Sequence, residues 1–348
     1  MNVFLITSLY TTLMSAFESM LKSKHSKKIF LFLLMLPIFI ISWRRGNTTV
    51  DYGNYEYIFN SSINLPLLGG WKSINIEPGY FILNKVVSLF STKFTSFLFV
   101  YSAIVLGIYY YAIYKFSNFY GLSVMLLIAF GSYYTSFNTM RQFLAATICI
   151  LAIVNIEKGF WKYLLIVSIA ASFHFSALIM IPFYFILKLR LNTIKGLTVF
   201  VMLLGLSFVL IVYTPTLVRF LTSSIYSNYS DINAFGINTG VPLSAIARIV
   251  FLIVYYLFFI KMINFDNILE NISFNSIFIT LIFMIFSTRV EMFQRFTYFF
   301  LPYMVILAPN VTSKINDKTT RIFFYSILFL SCLFYIFSTQ SHIPFIWA

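Results

Sequence analysis

Hydrophobic residues occur in long runs along this chain, and short polar or charged segments separate the runs. Several runs are shorter than the roughly 20 residues that a straight transmembrane helix needs, but their number and spacing predict helices along the whole chain. The predicted helices lie near residues 1–20, 29–43, 96–114, 119–136, 140–156, 161–173, 175–187, 197–213, 245–260, 272–288, 296–311 and 322–339. We therefore predict an all-α polytopic integral membrane protein, a single transmembrane domain over 1–348 with about 12 transmembrane helices, within a range of about 10 to 12.

A helical hairpin over residues 138–181 is the clearest pair of runs. NTMRQFLAATICILAIVN begins its first helix, IEKGFWK forms the turn, and YLLIVSIAASFHFSALIMIP returns through the second helix. Arg141 stands at the polar edge of the first helix, and His174 stands at the matching edge of the second. Ionisable residues are costly inside a membrane and mark functional sites there. We therefore expect the other site residues on the same side of the membrane.

The composition supports a membrane protein and excludes several other classes. Apolar residues make up 60% of the chain and charged residues 10%, with a mean hydropathy of +0.88. The core of a soluble protein cannot bury this much apolar surface. The formal charge of +14 does not predict nucleic-acid binding, because no soluble segment carries a basic stripe with exposed aromatics. Cys149 and Cys332 lie in apolar runs, which indicates neither a disulfide framework nor a cysteine metal site. The first run lacks a basic start and a cleavage site, so we predict a retained helix.

Lysine and arginine are distributed differently over the predicted topology. If the first helix starts outside, most lysines fall in cytoplasmic turns, as the positive-inside rule requires. Seven of the nine arginines then fall on the extracytoplasmic side, and that rule does not distinguish arginine from lysine. Arginine carries a fixed fork of donors suited to phosphate and carboxylate. The pattern therefore predicts an anionic ligand at the outer arginines, which are Arg44, Arg45, Arg141, Arg219, Arg248, Arg289 and Arg295.

Two long extracytoplasmic loops are predicted, over residues 44–94 and 214–244. The first contains RRGNTTVDYGNYEY, and its segment 79–92 is predicted to form either an interfacial or a re-entrant helix. A full membrane span over 80–92 is rejected because it would place Lys158, Lys188 and Lys195 outside. The second loop is polar and rich in glycine and proline, which predicts ordered irregular structure or a mobile lid.

Polar residues at helix starts are the candidates for ligand binding. Helical spacing places Asn138, Arg141 and Gln142 on one face. Arg141 either binds a ligand or pairs with an internal carboxylate such as Glu77 or Glu291. Spacing also places Glu291, Gln294 or Arg295, and Tyr298 on one face.

Other arginines have alternative roles. Arg44 and Arg45 either bind the ligand or extend to the membrane interface from a helix end. Arg289 and Arg295 flank Glu291, so an ion pair accounts for one of them and leaves the second without an evident partner in the sequence.

Three residues are candidates for acid–base chemistry. His174 either supports helix packing, as its small neighbours indicate, or binds and deprotonates a sugar hydroxyl. Asp51 and Glu77 are candidate bases, and each is equally suited to pairing with an arginine. No DxD pair, GxSxG, HExxH, P-loop or dinucleotide motif occurs, so we predict chemistry without a metal, nucleotide or other cofactor.

Several motifs, in this order, resemble those of the EpsG-like, Wzy-type polysaccharide polymerases of bacterial envelopes. They are RRGNTTVDYGNYEY at 44–57, IEPGY at 76–80, NTMRQFLA at 138–145, FHFSALIMIP at 173–182 and QRFTYFFLP at 294–302. The resemblance implies a glycosyltransferase that joins polyprenyl-diphosphate-linked oligosaccharide repeat units outside the bacterial cytoplasmic membrane, for a capsule, an O antigen or an exopolysaccharide. It also implies membrane lipid, a chain-length regulator and a flippase of the same pathway as partners.

With this resemblance, the arginines and their polar neighbours are expected to bind the diphosphate. That group comprises Arg44, Arg45, Arg141, Arg289, Arg295, Asn138, Gln142 and Tyr298, while Asp51, Glu77 and His174 are the candidate bases. Two alternatives remain: a transporter (flippase) of lipid-linked glycans, and another membrane transferase such as an acyltransferase. The polar residues gather at the outer edge, whereas carriers place their sites near the midplane, which favours the polymerase.

Overall fold

The fold of the chain is described by a computed structural model. It covers residues 3–21, 23–129, 132–196, 198–199, 201–203, 205–206, 243–260, 262–288, 290–317, 319–320, 322–323, 326, 330 and 345–348. The regular elements within these ranges are helices, which confirms the predicted all-α class. Most of the segment 197–213, the loop 214–244 and most of the segment 322–339 lie outside the described residues.

The helices are numbered here in chain order. They are α1 (Val3–Phe17), α2 (Lys24–Trp43), α3 (Tyr52–Asn64), α4 (Gly70–Ser73), α5 (Pro78–Ser88), α6 (Phe94–Phe116), α7 (Tyr120–Ala129), α8 (Ser132–Asn138), α9 (Met140–Ile153), α10 (Phe160–Ala171), α11 (Met180–Ile186), α12 (Leu243–Phe259), α13 (Ile268–Ser287) and α14 (Leu301–Thr312). Short 3-10 segments connect several of them, at Glu18–Met20, Ile156–Lys158, Phe175–Ile179 and Glu291–Phe299.

Three described helices are long and apolar enough to cross a membrane, namely α2, α6 and α13. Other apolar helices, including α9 and α10, are shorter. These helices support a membrane protein, while the number of about 12 spans stays a prediction.

Residues 44–94, predicted as a loop, fold into three helices. The predicted helix at 79–92 corresponds to α5, which ends earlier, at Ser88. Helix α3 was not predicted, although its buried residues Tyr52, Tyr55, Phe59 and Ser62 follow helical spacing.

Contacts divide the described chain into two compact units, and the first holds residues 1–184 and 305–348. Helix α9 is its central element, because every residue of α9 except Arg141 and Leu151 is buried. Helices α6 and α10 pack against it. The turn from α9 to α10 requires Gly159, whose φ of 99° is unfavourable for residues with a Cβ atom.

One end of the first unit brings several helix ends together, and we call it the loop end. The Ser42 and Ser102 hydroxyls lie 2.8 Å apart, which joins the end of α2 to the start of α6. The Tyr101 hydroxyl donates to the Ser136 carbonyl at 2.9 Å, which joins the start of α6 to the end of α8, next to the start of α9. A C-terminal segment also lies here, since Gly46 N–H donates to the Ile346 carbonyl at 2.6 Å.

The second unit, residues 185–304, contains α12 and α13. Near the start of α13, Asn275 donates from its amide to the carbonyls of Leu187 at 2.9 Å and Leu189 at 2.8 Å. Buried carbonyls at a chain turn require such partners, so this contact fixes the segment after α11 against α13.

The predicted helix over residues 296–311 is corrected. Residues 296–311 were expected to form one α-helix, but Glu291–Phe299 is a 3-10 helix and α14 starts only at Leu301. Residues three apart align in a 3-10 helix. Glu291 therefore shares a face with Gln294, and Arg295 shares a different face with Tyr298, so the single polar face expected from α-helical spacing is wrong.

Candidate functional site

Glu77 is placed by the Pro-Gly pair that follows it. Glu77 is the N-cap residue of α5, and Pro78 occupies the first helical position, where its missing N–H costs nothing. Gly79 N–H donates to the Ser172 carbonyl at 2.7 Å, just beyond the end of α10. A Cβ atom at Gly79 would lie 2.8 Å from that carbonyl oxygen, closer than packed atoms allow. The absence of a side chain therefore lets α5 dock directly on the α10 terminus.

The Glu77 carboxylate joins the two ionisable residues of the predicted hairpin. Its Oε2 atom lies 2.7 Å from Nη1 of Arg141, in a charge-assisted hydrogen bond. Its Oε1 atom lies 3.1 Å from Nδ1 of His174, although the ring N–H is not aligned for a full hydrogen bond. The Glu77 side chain is 7% exposed, and the Arg141 side chain is 28% exposed. The three side chains form one cluster at the loop end, with Arg141 the more accessible of the ion pair.

Glu77 is held in its charged form. Burial alone would raise its pKa, but the close approach of His174 and the positive charge of Arg141 outweigh burial and lower the pKa below its ordinary value. A carboxylate with a lowered pKa is a weak base. The geometry therefore suits Glu77 to orienting its neighbours more than to accepting a proton.

Asp51 and Asn138 meet beside this cluster. Asp51 precedes α3, and its backbone N–H donates to Oδ1 of Asn138 at 3.1 Å. Tyr55, one turn further along α3, places its hydroxyl near the backbone N–H groups of Met140 and Arg141. The start of α3 is thereby fixed against the start of α9. The structure thus brings together five of the predicted site residues: Asp51, Glu77, Asn138, Arg141 and His174.

Arg44 and Arg45 are adjacent in sequence but lie in different environments. Arg44 is exposed, with its guanidinium 5.7 Å from the ring centroid of Trp43. Arg45 is fully buried at 0% exposure, and its guanidinium lies 4.5 Å from the ring centroid of Phe137. Burial lowers the Arg45 pKa. Their predicted role in binding is not tested by these positions.

The remaining predicted residues that the structure describes differ in their exposure. Gln142 is buried in α9 beside Arg141. In the second unit, Arg295 is exposed and Tyr298 is buried on the 3-10 helix. Arg289 lies outside the described residues. Across the part of the chain that the structure describes, no group of three His, Cys, Asp or Glu residues is arranged to hold a metal ion.

The contact between Gly79 and Ser172 was not predicted. These residues are distant in sequence, and hydrophobic periodicity carries no information about backbone contacts of this kind. The available signal was the Pro-Gly pair after Glu77, because glycine after a helix-initiating proline commonly marks a close approach of two backbones.

Comparison with known proteins identifies one family. The model of the EpsG family matches residues 27–346, nearly the whole chain. No curated protein and no solved structure matches. The matched range includes the segments that hold Glu77, Arg141 and His174.

Proposed function

The chain belongs to the EpsG family, a Wzy-like family of polysaccharide polymerases, and we propose that it joins polyprenyl-diphosphate-linked oligosaccharide repeat units at the extracytoplasmic face of the bacterial cytoplasmic membrane. The observation that carries this proposal is the cluster of Arg141, Glu77 and His174 at one end of the helices. It combines a cation for an anionic leaving group with an imidazole for proton transfer.

In the proposed reaction, a hydroxyl of the incoming unit attacks the anomeric carbon of the growing chain. A new carbon–oxygen bond forms to that hydroxyl, and the bond from the anomeric carbon to the lipid diphosphate breaks. The diphosphate leaves with the electron pair, and the hydroxyl proton passes to a base. Catalysis of this reaction needs a fixed positive charge at the leaving oxygen and a positioned acceptor hydroxyl.

Arg141 is the proposed diphosphate ligand. Its guanidinium carries five N–H donors, and Glu77 receives a hydrogen bond from Nη1. The side chain is 28% exposed, and the planar fork of a guanidinium suits phosphate oxygens. Positive charge at this point stabilises the leaving group most as its charge develops. Asn138 and the other predicted arginines stay candidates for further contacts to the diphosphate.

His174 is the proposed base, and Glu77 its positioning residue. A carboxylate beside Nδ1 favours the tautomer that carries its proton on that nitrogen and leaves Nε2 as the acceptor. Asp51, half-buried beside Asn138, is the second candidate base.

The decisive experiment deletes the gene for this protein in its host and examines the cell surface. A strain without a polymerase should still display single repeat units outside the membrane, but no long polymer. A strain without a lipid-linked glycan transporter should instead retain lipid-linked units inside. Intracellular accumulation without surface units would therefore refute the proposed function and support the transporter alternative.

A further inference from the structure

Helix α5 exposes an apolar stripe that the proposed reaction does not use. The residues Tyr80, Phe81, Asn84 and Val87 pack into the first unit. The opposite face exposes Ile82, Val86, Leu89 and Phe90, which follow helical spacing into the residues just after α5, with Phe90 at 86% exposure. Leu67 and Leu68, in the segment before α4, are also exposed. Four large apolar side chains along one exposed face indicate a surface that is covered in the functional protein.

The neighbouring helix α3 provides the contrast. It belongs to the same segment of chain and also lies at the loop end, but its exposed residues include Gly53, Asn54, Asn60 and Asn64. Tyr57 is also exposed, so the exposed face of α3 is polar apart from one aromatic ring. Of these two helices, α5 carries the larger exposed apolar surface.

Both ends of α5 are held at the loop end of the first unit. At its start, Gly79 is bonded to Ser172 beyond the end of α10, and Glu77 is bonded to Arg141 at the start of α9. Its last residue, Ser88, precedes by only a few residues the start of α6 at Phe94, and α6 is a candidate membrane span. Phe94, the first residue of α6, packs against Tyr52 at the start of α3, with ring centroids 5.2 Å apart. Helix α5 therefore runs across the ends of the apolar helices.

The length of α5 agrees with this position. Its 11 residues extend for about 16 Å, well short of the roughly 30 Å of a bilayer core. Lys85, which would otherwise oppose contact with hydrocarbon, donates from Nζ to the Ile63 carbonyl at 2.6 Å. Exposed Lys72 and Lys93 flank the helix in sequence, where basic side chains are suited to lipid phosphate.

We propose that α5 is an interfacial helix that lies in the plane of the membrane surface, with Ile82, Val86, Leu89 and Phe90 in contact with the acyl chains of bilayer lipids. Of the two arrangements that the sequence left open, this selects the interfacial helix over the re-entrant one. The chain passes from this stripe to the start of α6 within four residues, and because α6 is a candidate membrane span, lipid is the occupant that we assign to the stripe. The inference does not depend on the reaction chemistry. If the proposed function is correct, α5 also holds Glu77 at the depth of lipid phosphate groups.

Fluorescence quenching in vesicles tests this position. Val86→Cys and, on the polar face of α3, Asn60→Cys are made in a full-length background with Cys149→Ala and Cys332→Ala. Each variant is labelled with bimane and reconstituted into vesicles of phosphatidylcholine and phosphatidylglycerol, with or without bromine on the acyl chains. Brominated lipid should quench the label at residue 86 several times more than the label at residue 60, and aqueous iodide should show the opposite order.

Two outcomes would overturn the proposal. Equal iodide quenching at both positions would place the stripe in water, and protection of residue 86 from both quenchers would indicate a protein surface over it. Leu89→Cys in the same background provides a second probe if the Val86 variant does not give a monodisperse protein. Because the measurement needs no polymer, it stays informative even if the protein is not a polymerase.

Discussion

Arg45 and Arg141 lie close together at the loop end, yet their surroundings differ in almost every respect. Met140 joins the two environments, since Nη2 of Arg45 lies 3.4 Å from its sulfur atom and Arg141 is the next residue. The Arg45 guanidinium donates to the Ser42 carbonyl and is enclosed by the rings of Phe137 and Tyr101. The structure shows no carboxylate bonded to it among the residues described. Arg141 is partly exposed and pairs with Glu77.

The difference shows that one residue type occupies two kinds of environment at the same end of the first unit. A guanidinium is planar and weakly hydrated, so the aromatic faces and the Ser42 carbonyl offset part of the cost of burying Arg45, whose Nε atom has no hydrogen-bond partner. Such a residue stabilises the junction between the end of α2 and the start of α9. The Arg141 side chain is partly exposed, and the Glu77 carboxylate fixes the direction of its guanidinium. A side chain that binds an anion must be accessible and must be held in a fixed direction.

The largest effect on activity is expected at Arg141. Arg141→Ala and Arg141→Lys should each reduce polymer formation per folded protein by roughly 100-fold or more, because a fixed donor to a leaving group contributes about that much and a lysine ammonium does not reproduce the planar fork. The measurement is the length and amount of polymer on gels from cells that make each variant at equal level.

Arg190→Lys is the matched control for this substitution. Arg190 pairs with Asp266 at 2.9 Å, and both side chains are more than half exposed, so this exchange should leave polymer unchanged. Normal-length polymer from the Arg141→Lys variant would show that Arg141 does not clamp the diphosphate. In that case Arg45 and Arg141 would differ in environment but not in diphosphate binding.

An intermediate effect is expected at Gly79, which fixes the partner of Arg141. A methyl group at this position meets the Ser172 backbone, so Gly79→Ala should displace the start of α5 and shift Glu77 away from Arg141 and His174. Activity should fall about tenfold, because misplacement of catalytic groups by about 1 Å costs up to 100-fold. A purified-protein polymerisation assay measures this change, with size-exclusion chromatography as the folding check.

Gly53→Ala provides the control on the neighbouring helix. A Cβ atom at Gly53 meets nothing within 4 Å, so this variant should keep full activity and gain slightly in helix stability. If Gly79→Ala keeps full activity as Gly53→Ala does, close docking of α5 is not required for polymer formation. The difference between Arg141 and Arg45 would then not depend on how α5 positions Glu77.

The sequence predicted the helical class and some of the residues that the fold brings together at the loop end. The hairpin pattern was enough to expect Arg141 and His174 at the same end, and Glu77 was one of two partners considered for Arg141. The sequence pattern could not predict that Arg45 is buried while Arg141 is partly exposed. The burial of Arg45 depends on Phe137 and Tyr101, which contact it only when α2, α6 and α8 pack together. The 3-10 segment Glu291–Phe299 was missed for a related reason, since periods of 3.0 and 3.6 are indistinguishable over so few residues.

The smallest effect on activity is expected at Arg45, and it tests the comparison most directly. Arg45→Met keeps an unbranched side chain against Phe137 but leaves the buried Ser42 carbonyl without its donor, which costs about 1–3 kcal/mol. We expect a lower midpoint of thermal unfolding in detergent, with polymer formation per folded protein close to normal. Arg45→Lys should be at least as destabilising, because a strongly hydrated ammonium is buried without the stacking surface of a guanidinium. If Arg45→Met instead folds normally and makes no polymer, Arg45 contacts the substrate, as the sequence predicted, and the two arginines act on one ligand from opposite sides of Met140.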